Sequence, residues 1–262
     1  MLETAALGAQ TPRSAGQNII AIASGKGGVG KTWLAISLIH AFAKAGRRAL
    51  LFDGDFGLAN VDVQLGLMPE RDIADVIEGK IGLRQATVSY PDGGFDVLSG
   101  RSGAGNLAAL GRPKLHFLRS ELTALSEHYD DVVVDLGAGL SSSVQIFSES
   151  FGTTLVVLTD EPTSLVDAYA YIKLRATQHR DADIRIVVNQ AKSASDGERT
   201  FAVLRRACES FLSLALPLAG IVRRDPHVEA SIRTQTPLLT RYPNCDAAQD
   251  VEALARRLVE RK

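Results

Sequence analysis

This chain has few cysteines and histidines, and it has no excess of charge of either sign. Its 262 residues include two cysteines, Cys208 and Cys245, which lie far apart and outside any Cys-x-x-Cys spacing. This distribution argues against a disulfide framework or a thiolate zinc site and favours reduced, structural thiols. The five histidines have no metal-ligand spacing either. With 29 basic and 30 acidic residues, the net charge of −1 provides no overall attraction to nucleic acid or acidic lipid.

Long hydrophobic runs are also missing. No segment approaches the ~18 consecutive apolar residues that a membrane-spanning helix requires. Residues 1–17 (MLETAALGAQTPRSAGQ) are small and polar, and they lack the positive start and apolar centre of an export signal. We therefore expect 1–17 to form a disordered leader and the protein to stay in the cytoplasm.

Short apolar, β-branched runs recur along the chain, and stretches of helical length separate most of them. The runs occupy 18–24, 48–53, 95–99, 131–135, 153–159, 184–189 and 218–222, and the predicted helices occupy 31–45, 113–129, 163–179, 195–211 and 247–260. Runs that are apolar on both faces are typical of strands buried between two layers of helices. The alternation predicts an α/β fold: a doubly wound, mostly parallel sheet flanked by helices. We expect one domain over residues 18–262, with ligands bound at the carboxyl ends of the strands.

The stretch SGKGGVGKT (24–32) contains a phosphate-binding loop. It matches the pattern G-x-x-x-x-G-K-[ST], with a predicted strand before it and a predicted helix after it. Glycines allow consecutive backbone N–H groups to point at phosphate oxygens, and the start of the helix adds partial positive charge. The residues predicted to bind the nucleotide are Gly25, Lys26, Gly27, Gly28, Val29, Gly30, Lys31 and Thr32. Lys31 is expected to bridge the β- and γ-phosphates, and the Thr32 hydroxyl to bind Mg²⁺.

The loop has a second lysine, Lys26, which the geometry of phosphate binding does not require. The glycines of the loop already supply the backbone cradle. Because Lys26 stands near the start of the loop, we expect its side chain to project away from the nucleotide of its own subunit. It could then reach the phosphates of a facing subunit and neutralise charge that develops during transfer, as arginine fingers do. The alternative from the residues alone is a solvated surface lysine.

Three aspartates at predicted strand ends complete the candidate site. Asp53 and Asp55 stand at the end of the second strand, where one could hold metal-bound water and the other orient the attacking water. Asp135 is predicted to end a buried strand, with Gly137 and Gly139 after it. This is the Walker B form, in which a carboxylate lies behind Mg²⁺ and a flexible loop senses the γ-phosphate.

A second glycine-rich stretch, SGRSGAGNLAALG (99–111), follows the run at 95–99. It lacks the Gly-Lys-Ser/Thr ending of a phosphate loop. We predict a mobile loop near the strand ends here rather than a second phosphate site.

Several of these stretches together resemble a known family. The segments SGKGGVGKT (24–32), FDGDFGLANVD (52–62) and VVVDLGAG (132–139) are similar to the deviant-Walker ATPases of the MinD/ParA group, within the SIMIBI class of P-loop NTPases. Inside that group, DEPTSLVDAYAYIK (160–173) and the segment 232–258 look most like the FlhG/FleN regulators of flagellar number. The resemblance covers nearly the whole chain after the first 17 residues.

The resemblance implies ATP as the nucleotide, Mg²⁺ as the metal and an ATP-dependent homodimer as the active form. The implied catalytic residues are Lys26, Lys31 and Asp55, of which Lys26 crosses to the partner's nucleotide and Asp55 orients the attacking water. The implied magnesium shell consists of Thr32, Asp53 and Asp135. On the base side, Asn189 would read adenine and Asp225 would flank the ring. Arg223 stands where relatives often have proline.

As a function, the resemblance implies a slow, dimer-dependent ATPase that acts as a molecular switch and regulates flagellar number, placement and assembly. Implied partners are the FlhF GTPase and flagellar switch or transcription-regulator proteins. Two alternatives stay open: a ParA-type ATPase that partitions DNA or another cargo, and a metabolic P-loop ligase, which would not require Lys26. The near-neutral composition and the stretch 160–173 favour the regulator.

Two features common in FlhG proteins need separate comment. The N-terminal segment with which many of them stimulate FlhF has no counterpart before Asn18. Many also end in an amphipathic, membrane-targeting helix, and a helical stripe does occur here at Val251, Leu254, Ala255, Leu258 and Val259. We predict that this stripe packs in the core, with attachment to the inner face of the cell membrane as the alternative.

Overall fold

The computed structural model describes residues 16–100, 110–149 and 151–260, and an eight-stranded sheet lies at its centre. The strands are β1 (Ile19–Ser24), β2 (Ala49–Gly54), β3 (Val88–Tyr90), β4 (Phe95–Leu98), β5 (Asp131–Ala138), β6 (Thr153–Leu158), β7 (Ile184–Ala191) and β8 (Leu218–Arg223). Their order across the sheet is β3-β4-β2-β5-β1-β6-β7-β8. Neighbouring strands are parallel except β3 and β4. The predicted doubly wound, mostly parallel sheet is confirmed.

Helices cover both faces of the sheet, because successive side chains of a strand point to opposite faces. They are α1 (Lys31–Lys44), α2 (Val61–Leu65), α3 (Ile73–Ile77), α4 (Arg112–Ser126), α5 (Ser142–Ser148), α6 (Pro162–Gln178), α7 (Ala194–Leu212), α8 (Pro226–Arg233), α9 (Leu238–Arg241) and α10 (Asp246–Glu260). Helices α4 to α7 bury apolar residues against one face, and α1, α9 and α10 do so against the other. Along β1, Ile19 enters the first core and Ile20 the second.

Two strands differ from the predicted pattern. β5 extends beyond Asp135 to Ala138, because it lies between β1 and β2 and finds backbone partners on both sides, near Ser24 and Gly54. Asp135 therefore lies within the strand rather than at its end. β3 was not predicted: it has only 3 residues, Val88–Tyr90, and pairs on one side at the edge of the sheet. Such a short edge strand leaves little hydrophobic pattern to detect.

Helix α10 is a core element. Val251, Leu254 and Leu258 are at most 3% exposed and pack with α1 and β8 on one face of the sheet. The prediction that this stripe is buried is confirmed. Among the described residues, every helix is too short or too polar to cross a membrane.

Residues 16 and 17, which the leader prediction includes, join the fold. The Gly16 carbonyl accepts hydrogen bonds of 3.1 Å from the N–H groups of Ile19 and Gly152. The rest of the predicted leader, 1–15, lies outside the described residues, as do residues 101–109 of the second glycine-rich stretch.

Candidate nucleotide-binding site

A cleft of about 860 Å³ opens at the carboxyl edge of the sheet, where β1, β2 and β5 end side by side. Lys31 and Thr32 line it from the loop and helix after β1. Asp55 enters from the segment after β2, and Gly137 from the end of β5. These segments are distant along the chain but meet because β5 lies between β1 and β2. The predicted phosphate loop and the predicted acidic segments therefore form one site.

The phosphate loop is held closely by two neighbouring elements. A side chain at Gly25 would place its Cβ 2.1 Å from the backbone oxygen of Asp167 in α6. Gly30 has a φ of 88°, and a Cβ there would lie 2.5 Å from Nδ2 of Asn189. That amide donates a 2.8 Å hydrogen bond to the Val29 carbonyl. Both glycines are thus required by close packing, and Gly30 also by its left-handed backbone.

Lys31, the first residue of α1, is 8% exposed. Burial lowers the pKa of its ammonium, while the carboxylates of Asp135 and Asp55 act in the opposite direction. A buried cation at a helix N-terminus, with carboxylates as its nearest charges, is suited to a phosphate group. Contact of Lys31 with the β- and γ-phosphates stays a prediction.

Thr32 and Asp135 form the pair that fits a magnesium ion. The Thr32 hydroxyl donates a 2.5 Å hydrogen bond to one carboxylate oxygen of Asp135. The other oxygen, Oδ1, is buried and has no hydrogen-bond partner among the residues that the structure describes. Burial raises the pKa of Asp135 to about 7. A hydroxyl and an unpartnered carboxylate oxygen are the hard ligands that Mg²⁺ prefers, so these two residues would hold it.

Asp53 lies directly beside Asp135, since the two residues are opposite each other in the β2–β5 register. It is 1% exposed, and burial, together with the charge of Asp135, raises its pKa well above the ordinary value. Its carboxylate accepts backbone hydrogen bonds from Asp55, Asn60 and Val61, at 3.1 to 3.2 Å. Asp53 therefore fixes the segment that carries Asp55, and its contribution to the magnesium shell stays a prediction.

Asp55 is only partly buried and lines the cleft. Its Oδ1 accepts hydrogen bonds from the backbone of Gly57 and Leu58, at 3.3 and 3.0 Å. Both bonds involve Oδ1, and the described residues provide no hydrogen-bond donor to Oδ2, which a water molecule could therefore contact. A Cβ at Gly137 would approach the carboxylate within 3.2 Å, so this glycine gives Asp55 its space. The arrangement supports the predicted role of Asp55 in orienting water.

Lys26 belongs to the same loop as Lys31 but lies in different surroundings. Its ammonium contacts the carboxylate of Glu161 and donates a 2.8 Å hydrogen bond to the Thr163 hydroxyl. Its side chain is 33% exposed, and it is absent from the described residues that line the cleft. The two lysines thus point to different places, as predicted.

Asn189 and Asp225, the residues predicted to contact the adenine base, both form hydrogen bonds within the protein. Asn189 lies inside β7, which extends to Ala191, and its amide holds the phosphate loop. Asp225 begins α8 and accepts hydrogen bonds from the backbone of His227 and Ala247, at 2.9 and 3.3 Å. Although burial opposes it, this hydrogen bonding holds the pKa of Asp225 below the ordinary value. Contact of Asn189 and Asp225 with a base stays a prediction.

Arg223 turns towards α10. Its guanidinium contacts Asp246 at 3.0 Å and Asp250 at 2.8 Å, and its backbone N–H donates to Asp250. These contacts raise its pKa, with the hydrogen bond to Asp250 as the largest cause. Arg223 therefore anchors the last helix on the sheet.

Sequence reasoning missed three residues around the site. Glu161 and Thr163 contact Lys26 from a segment that the sequence singled out only for its resemblance. Trp33 lines the cleft directly after Thr32 and is 5% exposed. Its indole N–H is buried and finds no hydrogen-bond acceptor within the described part of the chain. The position of Trp33 in the sequence, directly after the phosphate loop, could have indicated that it lies at the site.

Comparison with known proteins agrees with this geometry. Antiactivator FleN of Pseudomonas aeruginosa is 38% identical over 240 residues, which cover 92% of this chain and 85% of FleN. The flagellum site-determining protein YlxH of Helicobacter pylori is 30% identical over 244 residues, which cover 92% of this chain and 82% of YlxH. The structure of the septum site-determining protein MinD complexed with Mg-ADP, from Pyrococcus horikoshii, superposes with a TM-score of 0.79 at 23% identity, covering 92% of this chain and 95% of MinD.

The model of the CobQ/CobB/MinD/ParA nucleotide binding domain matches residues 20–238. This region contains the phosphate loop, Thr32, Asp135, strands β2 to β8 and all of β1 except Ile19. The chain therefore belongs to the CobQ/CobB/MinD/ParA nucleotide-binding family.

Proposed function

We propose that this protein is an ATP-dependent, dimerising molecular switch that regulates flagellar number, placement and assembly. The observation that carries the proposal is that the two lysines of one loop lie in different places. Lys31 lines the cleft, whereas Lys26 lies outside it on the surface. A cation held beside the site but outside it is suited to act on a second nucleotide, and a second copy of the chain provides one.

Each site residue has a role in this scheme. Lys31 and the backbone of the phosphate loop bind the β- and γ-phosphates, while Thr32 and Asp135 hold the metal. When bound, Mg²⁺ supplies a Lewis acid that offsets charge on the phosphate oxygens. Asp55 orients the attacking water through its available oxygen, and Lys26 from the facing subunit stabilises charge that develops in the transition state. Hydrolysis to ADP and phosphate then removes the group that holds the dimer together.

The flagellar assignment rests on relatives that cover nearly the whole chain. FleN is named an antiactivator, and YlxH is named a flagellum site-determining protein. Proposed partners are accordingly transcription-regulator or flagellar switch proteins and the FlhF GTPase. The proposed location is the cytoplasm. The buried stripe of α10 gives no support to the alternative, in which this helix attaches the protein to the inner face of the membrane.

The ParA-type alternative would require a basic patch on the dimer, for which the arginine pairs 47–48, 205–206, 223–224 and 256–257 are the candidates. It is less well supported because four of these eight arginines form ion pairs with acids of the same chain. Arg47 pairs with Asp131, and Arg48 pairs with Asp130 at 3.0 Å. Of the other candidates, Arg205 pairs with Glu209, and Arg223 pairs with Asp246 and Asp250. Arginines already paired with acids are less available to phosphates of DNA.

The proposal is tested by sizing and nucleotide titration with ATP, ADP and a non-hydrolysable ATP analogue. The wild type should dimerise with ATP and not with ADP. Lys26→Ala should bind ATP as a monomer, because Lys31 and the loop backbone are intact, and should fail to dimerise. Lys31→Ala should lose ATP binding, since backbone N–H groups only partly offset the phosphate charge. A Lys26→Ala protein that dimerises and hydrolyses ATP like the wild type would refute the switch.

A second test is made in cells. Replacing the chromosomal copy with Lys26→Ala should change flagellar number as strongly as removing the gene does. Loss of plasmid or chromosome segregation, with flagellar number unchanged, would assign the protein to the partitioning class instead.

A further inference from the structure

The contacts of Lys26 show which groups hold its side chain as well as where the side chain points. Its ammonium is bonded to two groups of the same subunit, the carboxylate of Glu161 and the hydroxyl of Thr163. Both groups belong to the start of α6, the segment that follows β6 at the same edge of the sheet as the phosphate loop. Lys26, which we propose to contact the nucleotide of a second subunit, is therefore bound within its own subunit in the monomer.

The backbone places Lys26 at this position. Ser24 is fully buried, and its hydroxyl donates a 2.6 Å hydrogen bond to the Lys26 carbonyl. The missing side chain at Gly25 lets the loop approach the Asp167 carbonyl in α6. Lys26 thus lies over the first turn of α6 for reasons unrelated to the ammonium itself.

The start of α6 also stabilises the acidic partner. Glu161 is the N-cap of this 17-residue helix, and Pro162 begins it. A carboxylate near a helix N-terminus is stabilised by the partial positive charge of the unpaired N–H groups. The start of α6 thus places the Glu161 carboxylate, whose side chain is 60% exposed, within reach of Lys26.

We propose that Glu161 and Thr163 are positioning residues that hold Lys26 in its own subunit and thereby oppose dimerisation until ATP is bound on both sides. This inference rests on the proposed function, since it assumes that Lys26 crosses the dimer interface. The ammonium has to leave Glu161 before it reaches the partner's phosphates, and two subunits break two such pairs. We call the contacts of Lys26 with Glu161 and Thr163 the latch. Because exposed ion pairs contribute little free energy individually, the latch weakens dimerisation but does not prevent it.

The test uses Glu161→Gln, which keeps the shape of the side chain and removes its charge. With the non-hydrolysable ATP analogue, the dimer dissociation constant from sedimentation should fall about twofold to thirtyfold relative to the wild type. Nucleotide affinity of the monomer, measured by titration calorimetry below the dimerisation range, should not change. Thr163→Val should shift the dimer in the same direction by a smaller factor.

Two controls separate the latch from a general charge effect. Asp160→Asn removes the neighbouring carboxylate, which pairs with Lys192 at 3.7 Å, and should leave dimerisation unchanged. The double variant Glu161→Gln/Lys26→Ala should be as defective as Lys26→Ala alone, because the gain requires a released lysine. Raising salt should reduce the difference between the wild type and Glu161→Gln, since an exposed pair is screened.

The outcomes distinguish this inference from the proposed function. If Glu161→Gln dimerises as weakly as the wild type, or more weakly, the latch is wrong, and a weaker dimer would assign Glu161 to the interface. If Lys26→Ala itself dimerises normally, the proposed function fails whatever Glu161 does. Thermal denaturation of each variant confirms that it is folded, and Thr163→Val decides the matter if Glu161→Gln is not.

Discussion

At the scale of single residues, the site combines buried charges that oppose each other. Asp53 and Asp135 lie side by side in neighbouring strands, and burial raises the pKa of both. The Lys31 ammonium opposes this effect at Asp135, since its charge lowers the pKa of that carboxyl. Without nucleotide and metal, such a group of charges costs stability, which is common where binding is the function.

The first prediction concerns Asp135. Its pKa is raised from 3.8 to about 7, so between these values the folded protein binds more protons than the unfolded chain. The free energy of unfolding should therefore fall as pH rises through this interval, and the full cost should be present above about pH 7. Asp135→Asn removes this charge and should stabilise the nucleotide-free protein at pH 8, by at most about 4 kcal/mol.

Urea unfolding at pH 5 and pH 8 measures this effect. The gain should be smaller at pH 5, where Asp135 of the wild type is protonated, and Mg²⁺-dependent ATP binding should be lost at both values. Asp181→Asn, at an exposed position, is the matched control and should change neither. Equal stabilities of the wild type and Asp135→Asn at pH 8 would contradict a raised pKa of Asp135 in the folded protein.

The second prediction concerns Asp55. Asp55→Ala should bind ATP with nearly wild-type affinity and accumulate as the dimer. Its rate of ATP hydrolysis should be lower than that of the wild type by a factor of at least about 100. Water positioning acts mainly in the transition state, so the loss belongs in kcat rather than in binding. Steady-state phosphate release and sizing check both parts, with the exposed Asp92→Ala as control. Turnover at the wild-type rate would leave Asp55 a loop-forming residue through its bonds to Gly57 and Leu58.

At the scale of elements, α10 shows how an amphipathic helix can satisfy its apolar stripe without a membrane. Leu254 is 1% exposed and approaches β8, where a Cβ at Gly220 would lie 3.3 Å from it. Salt bridges to α1, between Lys44 and Glu252 at 2.7 Å, and to β8 through Arg223 fix the helix on the sheet. The same stripe of residues would be required for membrane binding, so the two uses exclude each other while the helix is packed.

The third prediction follows from this packing. Leu254→Ala should lower the free energy of unfolding by about 2 to 5 kcal/mol, the usual cost of a large-to-small change in a core. Val203→Ala on α7 removes apolar atoms at a position that is 57% exposed and should change stability by less than about 0.5 kcal/mol. Urea unfolding of both variants gives the comparison. A Leu254→Ala protein of unchanged stability with weaker binding to anionic vesicles would favour the membrane helix.

At the scale of the whole molecule, charge is nearly balanced and much of it is paired internally. The net charge is −1, and several arginines from the candidate basic pairs contact aspartate or glutamate of the same chain. A surface of this kind recognises specific partners more readily than a polyanion, because counterion release from DNA requires available cations.

The fourth prediction is that the ATP-bound dimer does not bind nonspecific duplex DNA at about 150 mM salt with a dissociation constant below roughly 10⁻⁴ M, the weak end of nonspecific binding. Fluorescence anisotropy of a labelled duplex, with the non-hydrolysable analogue present, measures this. The nucleotide-free monomer serves as the control for dimer-dependent binding. Tight, salt-sensitive binding by the dimer alone would restore the ParA-type alternative.

The sequence by itself determined the features that depend on contiguous residues. The phosphate loop is a run of neighbours whose backbone makes the cradle, and strand–helix alternation is read from local periodicity. The helices α1, α4, α6, α7 and α10 and the apolar strands were predicted for this reason. The sequence also indicated Thr32 and Asp135, which the structure brings into contact, because a carboxylate on a buried strand is a recognisable signal; their binding of Mg²⁺ stays a prediction.

Only the tertiary structure decided which residues meet across the sheet. Glu161 contacts Lys26 across 135 positions of sequence, and Asn189 holds Val29 across 160. Such contacts depend on strand order, which places β6 beside β1 and β7 beyond it, and no local pattern encodes that order. The same holds for Arg223, whose attachment to α10 follows from the position of the last helix. Local chemistry thus specified the ligand, while long-range packing specified how each charged group is held before the ligand binds.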